Sequence, residues 1–329
     1  MEKYIGPRRA LAIDPSFIHK SGKHTPCVSY FWSGCAGKAL RGLEILAMSI
    51  IDASTGFSFH LQASQTLPSN FLKDRNLTLP DWYAAVIKAN IAQILEITTC
   101  VAADAFFSKK GFVDDIIGMG LRLVCKLRDD ADLRYLCNGG KSGKRGKPAK
   151  YDGKVDPANL DEKHFSTVPN DRGVKAKAGI VYSKSLKRNI LLVVEEMTIK
   201  GKTIRRLLFS TDTNQAPVDV IDIYHTRFQM EFGFRDAKQF AGLENVQAHS
   251  VNKLDFHFNA ALTSVNIAKI IQLNDERMRE LPFSMRTYKT LFYNRLPLSL
   301  FSAKFGISAN TYKNQEIFNE LLIFGTMAA

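Results

Sequence analysis

Residues 97–127, ITTCVAADAFFSKKGFVDDIIGMGLRLVCKL, decide the fold. ITTCVAAD is a near-continuous apolar run too short for a buried helix, and it ends in Asp104. LRLVCKL at 121–127 is a second such run, and the segment between them contains a short helix. Short apolar runs without a 3.6-residue period read as buried strands. Strand, helix, strand implies a parallel crossover inside an α/β sheet. Ligand sites in such sheets lie at the carboxyl ends of the strands, which is where Asp104 falls.

Toward the amino terminus, ALAID at 10–14 reads as another buried strand, with Asp14 as its last residue and Pro15 after it. SFIHKSGKHT then reads as a polar connection that brings Lys20, Lys23 and His24 near Asp14. CVSYFWS at 27–33, LEILAMSIID at 43–52 and FSFHLQAS from 57 are strand-like with tight links, an antiparallel meander. From Leu79, PDWYAAVIKANIAQILE places Pro80 at the start of a first long helix reaching about Glu96. Either aspartate alone has the ordinary reading of a turn or cap residue. Together, at the ends of two buried strands, they form a candidate pair. Asp52, Asp114, Asp115, Asp129 and Asp130 rank below them, since they fall in a hairpin turn, a helix or a loop entry.

Beyond 127 the composition changes. Residues 128–212 read as a β-rich insertion opening on the loop NGGKSGKRGKPAKYDGK at 138–154 and continuing through strand-like KAGIVYS, NILLVVEEM and TIRRLLFST. Residues 138–188 hold 13 Lys or Arg against 5 Asp or Glu, a surplus of eight out of the net +13 of the whole chain. That surplus reads either as a solvated basic loop or as a lobe that closes over a phosphate backbone. A pI of about 9.5 points the same way, to a polyanionic partner, with nucleic acid ahead of a membrane surface. With 329 residues and 45% apolar content the chain can bury a core. No run of about 18 apolar residues appears and the first residues lack an apolar signal stretch, so a cytoplasmic protein without membrane contact is expected. Five cysteines without a CxxC pair argue against a disulfide framework or a zinc cluster.

Residues 216–241, APVDVIDIYHTRFQMEFGFRDAKQFA, read as one helix carrying Tyr224, Arg227, Glu231 and Lys238 at intervals of three, four and seven. At about 100° per residue the four share one narrow stripe. Phe228, Phe232, Met230 and Phe234 flank it, and Thr226, Gln229, Gly233 and Asp236 fall on the opposite, solvated arc. Two readings stay open. One is a solvated helix with Arg227–Glu231 and Glu231–Arg235 pairs, each worth about 0.2–0.5 kcal/mol. The other is an inward polar site in which Glu231 is a metal ligand or general base and the cations and phenol hold an anion.

That spacing resembles the Y-R-E-K signature of bacterial insertion-sequence transposases of the DDE type. The resemblance implies a ribonuclease-H-like mixed sheet flanked by helices, with a β-rich insertion before the helix that carries the third acid. It implies core segments at 1–127 and 213–275, the insertion at 128–212 and a helical tail at 276–329. Carried over, Asp14, Asp104 and Glu231 are the catalytic and metal-holding acids, and Tyr224, Arg227 and Lys238 grip the DNA backbone. The implied cofactor is a pair of Mg²⁺ ions, with Mn²⁺ as substitute. The implied partners are double-stranded transposon ends and target DNA, bound by a homodimer in the bacterial nucleoid. Relatives carry a further domain before the first catalytic strand, which here begins about ten residues in. A catalytically silent, truncated fragment that binds DNA or a partner transposase is therefore the alternative expectation.

Overall fold

In the computed structural model, residues 2–137, 150–276, 278–307 and 312–326 are described. The chain divides into two units, residues 1–23 with 27–230 and residues 24–26 with 231–329. Most of the basic loop expected at 138–154 lies outside the described residues.

The first unit is built on the meander and crossover. Its amino-terminal strands are β1 (Arg9–His19), β2 (Ser29–Ser33), β3 (Lys38–Asp52) and β4 (Phe57–Gln65). Helices α1 (Ser69–Asp74), α2 (Leu79–Ala89) and α3 (Ile91–Ile97) lead into β5 (Cys100–Ala103), α4 (Lys110–Gly118) and β6 (Arg122–Lys126). There follow β7 (Leu133–Leu136), β8 (Tyr151–Lys154), β9 (Ser166–Thr167), β10 (Lys175–Ser183), β11 (Arg188–Ile199) and β12 (Lys202–Ser210). Helix α5 (Pro217–Thr226) ends this unit, and α6 (Gln229–Phe240) runs from it into the second.

The twelve strands of the described residues join one mixed sheet in the order β2-β3-β1-β5-β6-β12-β11-β10-β7-β8, with β4 on β3 and β9 on β10. β1, β5 and β6 are mutually parallel and β3 and β4 antiparallel, an order compatible with the expected ribonuclease-H-like arrangement. The strands of 128–212 extend this sheet through the β12–β6 pair. One face carries Leu11, Ile13, Leu46, Met48, Val101 and Leu123 under Tyr83 of α2 and Phe112 and Ile116 of α4. Helix α5 packs on strands β3, β5, β6, β11 and β12.

Three local expectations are corrected. Asp14 does not end its strand: β1 continues pairing with β3 as far as His19 opposite Gly42. Its parallel pairing with β5 is recorded only at Leu11 and Ala12, so Pro15 sits where β5 no longer flanks it, an edge position that tolerates a missing N–H. The helix from Leu79 is two helices joined at Asn90 (φ −114°, ψ 13°). Its start is as expected, with Pro80 in the first turn and a Thr78–Asp81 capping box. The helix at 216–241 is also two, α5 and α6, with the turn tightened at Arg227 and Phe228. There the N–H of Phe228 donates to the carbonyl of His225 and that of Met230 to Arg227, three residues back.

The second unit holds most of α6, α7 (Val251–Asn274), α8 (Met285–Phe305) and α9 (Tyr312–Ile323). The long helix read at 249–272 is α7, whereas the short pieces expected in the tail merge into α8, which passes through Pro297, and α9. Gln272 fastens the end of α7, its Nε2 donating to the carbonyls of Met278 and Leu281. Among the described residues, no helix is long and apolar enough to cross a membrane.

One buried acid in the first unit has a testable consequence. Glu44 of β3 is 6% exposed and accepts a 2.5 Å hydrogen bond from the Tyr83 hydroxyl. Burial raises its pKa above the usual carboxylate range, and hydrogen bonds from Tyr83 and Thr66 offset only part of that. The folded protein therefore holds this proton more tightly than the unfolded chain. The stabilisation is complete below the unfolded pKa and is lost as pH rises through the folded value. Glu44→Gln, permanently neutral, is expected to flatten the fall in melting temperature as pH rises above the ordinary glutamate value, read by thermal unfolding.

Candidate active site

The sheet register brings the two expected aspartates side by side. Leu11 faces Val101 and Ala12 faces Ala102, an offset of 90 that sets Asp14 level with Asp104 just past the parallel pairing. Neighbouring strands lie about 4.8 Å apart, and side chains level with one another on a sheet point the same way. Both aspartates alternate onto the face opposite the Tyr83 core. The same register sets Asp104 level with Lys126, which pairs with Leu208 of β12.

Local structure holds each acid. Asp104 caps a short 3₁₀ turn at Ala105–Phe107, where its Oδ1 accepts the Phe106 N–H at 2.9 Å, and its carbonyl accepts from the Cys125 Sγ at 2.9 Å. Burial pushes the Cys125 thiol well above its ordinary pKa, so it stays protonated and donates. Asp14 receives Nη1 of Arg227 at 3.4 Å. Arg227 is itself buried and lies 5.7 Å from the Tyr224 ring centroid, in cation–π range. Burial raises the Tyr224 pKa, although Arg227 and Arg206 pull it down, so the phenol remains a hydrogen-bond donor.

Behind Tyr224 stands a cluster that the sequence reading missed. Glu195 of β11 is 0% exposed, and its Oε1 lies 2.8 Å from Nε2 of His225 while its Oε2 accepts from Nη1 of Arg206 at 3.3 Å. Glu195 and Arg206 are register partners on β11 and β12, and His225 is the residue after Tyr224 on α5. His225 thus ties the last turn of α5 to the sheet. The other end of α5 is tied by Arg8, which hydrogen-bonds Asp219 at 2.8 Å and Asp222 at 2.6 Å, with Arg172 also on Asp222 at 3.1 Å.

The expected inward stripe is only partly buried. Arg227, Met230 and Phe234 are buried, but so are Thr226 and Asp236, which were placed on the solvated arc, while Phe228 and Phe232 are exposed. The hydrogen bonding of the turn between α5 and α6 departs from that of an unbroken helix. Glu231 is exposed on the first turn of α6, and Lys238 on its last turn pairs with Glu244 at 3.3 Å. Both belong to the second unit, whereas Asp14, Asp104, Tyr224 and Arg227 belong to the first. Among the described residues, no group of three or more His, Cys, Asp or Glu side chains is placed to hold a metal ion. The level aspartates nonetheless present the carboxylate oxygens that Mg²⁺ prefers, and so fit as two members of a larger ligand set.

Paired acids at the carboxyl edge of parallel strands, with basic and phenolic groups beside them, suit chemistry at a phosphodiester. Residues 1–179, more than half of the 329, match the family described as DDE superfamily endonuclease. The chain belongs to that family. Among curated proteins no match to it is found. The matched segment contains both Asp14 and Asp104 and ends before Tyr224. Endonuclease domains of this superfamily generally use divalent metal ions, and the mixed sheet flanked by helices is compatible with their ribonuclease-H-like fold.

Proposed function

We propose that this DDE-family chain is a transposase that hydrolyses phosphodiester bonds at transposon ends and joins the freed 3′ ends to target DNA as a homodimer. The observation that supports it is the level pair Asp14 and Asp104, with Arg227 and Tyr224 packed beside it. Asp14, Asp104 and Glu231 would hold two divalent ions, Mg²⁺ or Mn²⁺, which when bound supply activation of the attacking oxygen and charge neutralisation at the leaving 3′ oxygen. The side chains of the chain itself position the DNA. Tyr224, Arg227 and Lys238 hold backbone phosphates, contacts that orient the duplex without reading its sequence. The Glu195–His225 bond fixes the turn from which Tyr224 and Arg227 project. Water is the first nucleophile, and the 3′ hydroxyl it releases is the second.

The test is incubation of the full chain with linear DNA carrying the ends of its own element, with Mg²⁺ or Mn²⁺. Nicks ending in 3′ hydroxyls followed by joint molecules with target DNA are expected. Nicks without joint molecules would leave a nuclease, and DNA binding without nicks would leave a silent DNA-binding chain.

A further inference from the structure

The far end of the β11–β12 pair is a free-standing ribbon. Pairing of β11 with β10 stops at Glu196, and pairing of β12 with β6 is confined to Leu208–Ser210, yet β11 and β12 pair with each other out to Ile199 and Lys202. Residues 198–204 are all exposed. The turn is Lys200-Gly201, with φ of 49° and 75°. Two consecutive left-handed residues are what a two-residue hairpin of the first primed type requires, and they match the twist of the strands.

The two faces of this ribbon differ. Met197 opposes Ile204 and Ile199 opposes Lys202, so Met197, Ile199, Ile204 and Lys202 share one face. Thr198 and Thr203 oppose each other on the other face, above the Glu196–Arg205 ion pair. Ile199 is 49% and Ile204 44% exposed at a solvent-surrounded tip. Lys200 and Lys202 beside them make no ion pair among the described residues, whereas Arg205 and Arg206 nearer the sheet do.

The apolar face is also the site face. Residues 202, 204 and 206 alternate with 208 and 210, and Leu208 and Ser210 pair with Lys126 and Val124, which continue across β6 and β5 to the level of Asp104 and Asp14. β12 runs antiparallel to β6, so the ribbon leaves the sheet past the same edge that bears the aspartates. Lys202 lies six residues from Leu208, about 20 Å at roughly 3.4 Å per residue. A duplex laid over the aspartates would meet the tip about six base pairs farther on, at about 3.4 Å per pair along each strand.

We propose that residues 197–204 form an arm that enters a groove of duplex DNA, Lys200 and Lys202 contacting the flanking phosphates and Ile199 and Ile204 pressing on base edges or sugars. A two-stranded ribbon fits the major groove, about 12 Å wide, where apolar side chains contact base edges such as the thymine methyl. The nature of the duplex as substrate rests on the transposase reading. The arm itself is tested by binding alone.

The experiment measures binding of the full chain to a duplex of about three helical turns, without metal, over a range of salt concentrations. Lys200→Ala with Lys202→Ala is expected to flatten the slope of log affinity against log salt by about 1.8, at about 0.9 per phosphate contact. Ile199→Ser with Ile204→Ser is expected to weaken binding about tenfold at an unchanged slope. These positions are exposed, and unchanged melting temperatures would show that the fold persists. An unchanged slope in the lysine pair, or unchanged affinity in the isoleucine pair, would overturn the arm. So would a change in sedimentation that tracked the isoleucine pair without DNA, which would make the tip a contact between copies. Normal binding without cleavage by the unaltered chain would instead count against the transposase reading and leave the arm standing.

Discussion

Replacing Asp14 or Asp104 by Asn is expected to lower DNA cleavage by about 10³-fold or more, roughly 4 kcal/mol at 1.36 kcal/mol per tenfold. DNA affinity without metal is expected to stay within a few-fold of the unaltered chain. The two effects separate because of what each side chain faces. Asp14 on β1 and Asp104 just after β5 stand level, on the face where α5 supplies Tyr224 and its end supplies Arg227. A carboxylate there repels phosphate unless a cation intervenes, so its removal cannot cost binding directly. Single-turnover cleavage and metal-free binding on the same preparations check both halves. Near-normal cleavage in either variant would remove that residue from the site, and equal losses of binding and cleavage would make it structural.

The second large effect is expected at Glu195. Its carboxylate is fully buried between Arg206 and His225, and deleting it leaves two polar partners without their acceptor. Breaking a buried ion pair from one side typically costs about 3–5 kcal/mol, more than most surface changes. Glu195→Ala should therefore lower the denaturation midpoint strongly, whereas Glu195→Gln, which keeps the shape and one acceptor, should lose less stability. If the network orients the last turn of α5, Glu195→Gln retains the fold and still weakens cleavage more than DNA binding. Denaturant unfolding and the same cleavage assay distinguish the two effects. A Glu195→Ala protein as stable as the unaltered chain would mean that the cluster contributes nothing.

The strands that carry Asp14 and Asp104 were legible because their context is local. Short apolar runs ending in Asp14 and Asp104 mark buried strands, whereas the register that sets the two level comes from the pairing of β1 with β5, which neither run announces. Asp14 was still misjudged as a strand end, because the extension to His19 depends on β3, a partner distant in sequence. Glu195 was not legible: in NILLVVEEM two adjacent glutamates face opposite sides of a strand, and only the placement of α5 makes one of them buried. The break at Arg227 and Phe228 was equally silent, since HTRFQ contains neither Pro nor Gly to announce it. Periodicity assumed a straight helix through Arg227 and Phe228, and the burial of Asp236 on α6 departs from that assumption, while Thr226 on α5 is buried with its hydroxyl turned back on the Asp222 carbonyl.

Arg8 has a practical bearing. It joins α5 across sequence separations of 211 and 214, gripping Asp219 and Asp222 from a point just ahead of the first strand. Trimming or fusing this protein close to its start therefore reaches the helix that aims Tyr224 and Arg227. A preparation clipped before Ala10 would be expected to keep its sheet while loosening its grip on the substrate backbone, so the choice of boundary bears directly on any measurement of activity.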